Sequence, residues 1–166
     1  MGVLFDYFRA PDAGAAIRAL ERDGGPNGRG GPGQPVFDAL DAKGIDHAVM
    51  LTQLVDIIRG ESTDFTTVTA LDFVSVWPSS TPPTGDEWTT LPEGSPWREG
   101  PWIDELGQRT LDGLADADDA RLPEISARWG REAGLDGDLA ELVAEFVALA
   151  RRARDAGDRL YCWSCL

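Results

Sequence analysis

Residues 138–166 read DLAELVAEFVALARRARDAGDRLYCWSCL, and the fold follows from how this stretch is parsed. Leu139, Leu142, Val143, Phe146, Leu149, Ala150 and Ala153 recur at helical spacing, so one face of the helix is a core face. Asp138 and Glu141 form a D-x-x-E variant of the capping box at its start. Arg151, Arg152 and Arg154 stand in the last turns, where they complement the negative end of the helix dipole. Gly157 is placed to close the helix in a left-handed cap. Leu160 to Leu166 then reads as a closing strand. At the other end of the chain, Gly2 to Phe8 is short, aromatic-rich and apolar on both faces except at Asp6, which marks a strand covered on both sides. The expectation is an α+β fold: a small mixed or antiparallel sheet with its N- and C-terminal strands paired centrally and helices packed over it.

Between these ends the signals are shorter. Ala15, Ala16, Ala19 and Leu20 give a short helix after Pro11-Asp12, ended by Asp23-Gly24-Gly25-Pro26. Residues 24–35 are a Gly/Pro connector, flexible by composition. Ile45 to Ile58 carries Ala48, Leu51, Leu54, Val55 and Ile58 along one helical stripe before Gly60 stops it. Val68 to Trp77 favours a second strand ending at Pro78. Residues 78–101 hold six of the eleven prolines together with Trp88 and Trp97, and Trp77 and Trp102 flank them; this is a long irregular segment that could serve as a lid. Trp102 to Ala115 resumes a helical period through Ile103, Leu106, Thr110 and Leu114, and Pro123 to Trp129 is a shorter helical stretch. Both are expected to be amphipathic surface helices. No repeat is present, and 166 residues fit a single domain, 1–166.

Composition narrows the function classes. With 42% hydrophobic and 27% charged residues the chain can bury a core and is not a disordered tail. Fifteen basic against 29 acidic residues give a net charge of −14, so nucleic acid is a poor partner: a positive groove would have to form against the field of the whole molecule. No run approaches the roughly 18–20 apolar residues of a spanning helix, and the start lacks a basic region ahead of its apolar one, so no membrane or secretory route is expected. Two cysteines in such a chain are expected to stay reduced in the cytoplasm.

The motifs carry little chemistry. Gly28 to Gly33 matches G-x-G-x-x-G, but a helix precedes it and Pro35 follows, where a dinucleotide site needs a strand before and a helix after; it reads as a plain loop, and no cofactor is implied. Cys162-Trp163-Ser164-Cys165 is C-x-x-C, yet no helix follows to stabilise a thiolate, and one His with no further Cys cannot complete a zinc site. In an extended strand Cys162 and Cys165 point to opposite faces, which opposes a disulfide between them. His47, the one histidine, shares a stripe with Leu51, Leu54 and Ile58, and is either a half-buried, hydrogen-bonded core residue or an acid, base or ligand in a pocket. Asp116-Ala117-Asp118-Asp119 suits a solvated turn better than a metal loop, and no metal ligand set is assigned. Trp77, Trp88, Trp97 and Trp102 suit either stacking on a partner or a cap on the core.

Met1 to Phe8, the phrase Lys43-Gly44-Ile45-Asp46, and the close from Leu149 through Gly157 to Leu160–Leu166 resemble a group of small bacterial proteins. More distantly they are similar to the YfbM-like family, which also begins Met-Gly, sets a mid-chain helix after an Asp/Lys phrase, and ends in a long helix, a glycine and a strand. The resemblance covers about a third of the chain and leaves out the Trp/Pro segment. It implies an α+β fold and carries over no catalytic residue.

Three functions remain in view. The first is a non-enzymatic, acidic protein-binding or regulatory protein that meets a basic partner, for example as its neutraliser. The second is a small-ligand protein or enzyme with a pocket near the paired termini, using His47 with Asp6 or Tyr7 and with Trp163. The third is a thiol or metal protein built on Cys162 and Cys165.

Overall fold

The computed structural model of the chain describes residues 3–62 and 72–166. Met1, Gly2 and the 68–71 part of the expected second strand lie outside the described residues. Five strands, β1 (Leu4–Ala10), β2 (Ala39–Asp41), β3 (Phe73–Trp77), β4 (Trp102–Leu106) and β5 (Arg159–Cys165), form one antiparallel sheet in the order β2-β1-β5-β4-β3. β1 and β5 pair along their full length, from Leu4 opposite Cys165 to Ala10 opposite Arg159, so the two terminal strands form the middle of the sheet.

Six helices accompany the described strands: α1 (Ala13–Ile17), α2 (Thr52–Arg59), α3 (Pro96–Glu99), α4 (Gln108–Ala115), α5 (Leu122–Ala133) and α6 (Ala140–Ala156). Because successive strand residues point to opposite faces, the sheet makes two cores. Tyr7, Leu160, Cys162 and Leu106 pack with Leu54, Val55, Leu114, Trp129, Phe146 and Leu149 beneath α2, α4, α5 and α6. Phe8, Ala10, Ile103, Tyr161 and Trp163 pack on the other face with Ala16, Ala19 and Trp77. Each large side chain removed from water in this way contributes about 1.5–3 kcal/mol.

α6 follows its sequence closely. Val143, Phe146, Val147, Leu149, Ala150 and Ala153 are buried, and Gly157 closes it at φ 72° with its N–H on the Ala153 and Arg154 carbonyls. Its start shifts slightly: Leu139 is the cap residue and Asp138 accepts from the Ala140 N–H at 3.0 Å. Glu141 is thereby the second helical residue, one short of the position from which a capping box closes.

The 102–115 stretch is a correction. Trp102–Leu106 is a strand, and only Gln108–Ala115 is helical. Ile103, Leu106, Thr110 and Leu114 do fit a helical period, but the first two also fit a two-sided strand. Pairing decides between these readings: Asp104 lies opposite Cys162 of β5 and Ser75 of β3, so β4 has a ladder on each side. Neither α4 nor α5 is a purely surface helix. Leu111, Leu114 and Ala115 of α4 are buried, and so is Trp129 of α5, whose indole N–H donates to the Met50 carbonyl at 2.9 Å. Within 78–101 the chain makes a 3-10 turn, Gly85–Thr90, and the single turn of α3. Among the described residues no helix is long and apolar enough to cross a membrane.

Candidate functional site

His47 opens the segment leading into α2, and it does so in a wide π turn spanning His47–Leu51. The Asp46 carboxylate accepts from the Val49 N–H at 2.7 Å, and the Leu51 N–H reaches the Asp46 carbonyl at 3.0 Å. This first turn lays the imidazole against the sheet, edge-on to Phe73 at 4.4 Å between ring centres.

Beneath it runs a cross-strand row set by register: Tyr7 of β1 opposite Cys162 of β5, Cys162 opposite Asp104 of β4, and Asp104 opposite Ser75 of β3. Directly opposed side chains on one face are near neighbours, so the row places a phenol, a thiol, a carboxylate and a hydroxyl side by side. Nε2 of His47 stands 3.2 Å from Oδ2 of Asp104, and the two side chains keep only 10% and 12% of their surface exposed. That approach is out of line for a hydrogen bond. Both ring nitrogens of His47 and the hydroxyl of Ser75 are buried without a hydrogen-bond partner.

The rest of the row is chemically quiet. The Tyr7 hydroxyl donates to the Ile45 carbonyl at 2.8 Å, and burial holds its phenol far up in its neutral form. Burial, reinforced by the charge of Asp104, pushes the Cys162 thiol well up, so it is held as the thiol. A thiol in that state is a poor nucleophile and a poor metal ligand. Cys162 and Cys165 are both free and occupy opposite faces of β5. Among the described residues no three His, Cys, Asp or Glu side chains are grouped to hold a metal ion.

His47 and Tyr7 therefore share a face, but the other expected members of that pocket do not. Asp6 and Trp163 lie opposite each other on β1 and β5 and project from the reverse side of the sheet, because they are one residue out of phase with Tyr7 and Cys162. There Trp163 is covered by Gly25, where an added Cβ would sit 2.7 Å from the indole, so only glycine fits. Asp6 is buried and accepts a long 3.4 Å bond from the Asn27 N–H, and burial raises its carboxyl above the ordinary value. The members that sequence reasoning missed are Asp104 and Ser75. The signal for Asp104 is present in Trp-Ile-Asp-Glu-Leu, but it is visible only when that stretch is read as a strand.

The tryptophans form no single patch. Trp77 packs with the smaller core, and Trp102 begins β4. Trp97 is buried, and its indole N–H donates to the Ser80 hydroxyl at 2.8 Å. Trp88 meets Trp97 edge-on at 6.2 Å and remains 48% exposed. Asp86, Glu87, Glu93 and Glu99 share this segment with one cation, Arg98, and all five are exposed. Two of the acids brace it: Glu87 accepts from the Thr84 N–H at 2.7 Å and Glu99 from the Gly94 N–H at 2.8 Å.

The Gly28–Gly33 stretch is held by its own chain. The Arg22 guanidinium donates to the Gly25, Gly28 and Pro35 carbonyls, so the loop's polar groups are turned towards Arg22. In the Asp116–Asp119 turn, Asp116 pairs with Arg154 at 2.5 Å and Asp119 with Arg151 at 2.9 Å. An open cleft of about 270 Å³ borders Arg9, Phe37 and Asp38, and another of about 410 Å³ lies between α5 and the turn before α6. His47 lines neither of them. Compared with protein-family models, with curated proteins and with solved structures, the chain matches none.

Proposed function

We propose that this chain is a non-enzymatic binding protein that docks a basic protein partner through the segment around Trp88. The observation that carries the reading is a large aromatic ring, 48% exposed, in a braced loop with four carboxylates and one arginine. Tryptophan is enriched among the residues that dominate binding energy, and its face attracts ammonium and guanidinium groups. Neighbouring carboxylates complete the match to a lysine or arginine side chain. The net charge of −14 speeds encounter with such a surface and disfavours acidic competitors and nucleic acid. Under this reading the chain acts in the cytoplasm as a neutraliser or regulator of its partner, with Cys162 and Cys165 reduced.

The test is co-purification of the full chain from its own cells at low salt, followed by affinity measured across a salt series. Affinity is expected to fall steadily as salt rises, and Trp88→Ala is expected to weaken binding by about tenfold or more. A complex indifferent to both salt and Trp88 would overturn the reading.

A further inference from the structure

Three buried polar atoms without partners fall in one place: Nδ1 and Nε2 of His47 and Oγ of Ser75. An unsatisfied buried donor or acceptor costs about 1–3 kcal/mol, so two beside one carboxylate, Nε2 of His47 and Oγ of Ser75, mark a position where something else completes the bonding. Both backbone irregularities nearby fall on the same residues. The π turn begins at His47, and the β3–β4 ladder slips between Ser75 and Trp77. Such departures re-aim side chains and are frequent at functional sites.

The charge of the site selects what it takes. Asp104 is a nearly buried carboxylate whose ion-pair partner among the described residues is His47 alone, and the imidazole is out of line to donate to it. No arginine or lysine among the described residues pairs with Asp104. A carboxylate held this way calls for a cation. The acceptors available are Oδ2 of Asp104, the lone pair of Nε2 on a neutral imidazole, and Oγ of Ser75. An ammonium group carries three N–H donors, which matches their number.

We propose that His47, Asp104 and Ser75 form a receptor for the ammonium group of a small primary amine. The amine donates to the Asp104 carboxylate, to Nε2 of His47 and to the Ser75 hydroxyl, and His47 keeps its proton on Nδ1. Binding is a recognition event with no bond made or broken. The site uses none of the residues of the Trp88 segment, so its proposal does not rest on the docking of a protein partner.

Because His47 is the one histidine, its imidazole nitrogens give one unambiguous set of resonances in long-range proton–nitrogen NMR spectra. Methylammonium chloride is titrated into the full-length protein at neutral pH and constant ionic strength, with tetramethylammonium chloride, which has no N–H, as the matched control. The expected result is a saturable shift of Nε2 with methylammonium and none with tetramethylammonium. Asp104→Asn is expected to weaken the response at least about tenfold, Ser75→Ala by several-fold, and Trp88→Ala to leave it unchanged. If a variant fails to fold, the two titrations of the unaltered chain decide alone. A non-saturating response, an equal response to tetramethylammonium, or an imidazole already doubly protonated against Asp104 before any amine is added would overturn the proposal.

Discussion

Asp38 and Asp104 are both carboxylates drawn partly or wholly out of water, and their surroundings differ sharply. Asp38 accepts from Nε of Arg9 at 2.8 Å and from Nε and Nη2 of Arg152 at 2.7 and 2.8 Å, and Arg9 reaches on to Asp158 at 2.6 Å. This cluster ties β1, α6, the turn before β5 and the approach to β2 together. The two guanidiniums, Arg152 first, hold the Asp38 carboxyl down at about 2. Asp104 has only an off-line imidazole. The contrast teaches that the charge pairs around Asp38 fasten elements to one another near the strand ends, while the polar row that includes Asp104 and Ser75 is left incomplete.

The largest expected effect tests the fastening half of that contrast. Asp38→Ala leaves two guanidiniums facing each other and is expected to cost about 2 kcal/mol of unfolding free energy in urea, with part of the charge screened by solvent. Asp38's folded value lies below its unfolded 3.8, so its contribution is complete above that value. It is lost as pH falls from about 4 through about 2. Unfolding midpoints of the Asp38 variant and the unaltered chain should therefore converge across that window.

Asp6 carries the opposite sign. Burial raises its carboxyl above 3.8, so the folded state favours the protonated form, and the penalty grows as pH rises through and beyond that value. Asp6→Asn is expected to stabilise the protein at neutral pH by on the order of 1 kcal/mol and to lose that advantage in acid; urea titrations at both pH values check it. A smaller effect sharpens the other half of the comparison. Asp104→Asn removes a charge that no guanidinium compensates, so the unfolding free energy should not fall, where breaking a buried structural ion pair would cost about 3–5 kcal/mol. Trp88→Ala should leave thermal stability within about 0.5 kcal/mol, since that ring is half in solvent.

What the sequence disclosed depended on how local the cause was. The α6 helix, its Gly157 cap, β5, and the central pairing with β1 were legible because apolar periodicity and turn chemistry act within a few residues. β4 was misread because Ile103 and Leu106 satisfy two periods at once, and only ladders to β3 and β5 choose between them. The same error hid Asp104. His47 was visible as a candidate, but which acid it meets depends on strand phase: Asp6 and Tyr7 are adjacent in sequence and face opposite cores, and nothing local assigns their sides. Trp88 and Trp97 look alike in sequence, and their different exposure follows from the fold of 78–101 alone.

The position of β5 also governs when the sheet can be built. Its registry partners on β1 were made some 150 residues earlier, so a growing polypeptide carries β1 and β4 as two separate open borders until Arg159–Cys165 has left the ribosome. Ordering so distant in the chain is slow, and unpaired borders invite foreign strands. Synthesis of β5 is therefore the step that joins the β2-β1 pair and the β4-β3 pair into one sheet.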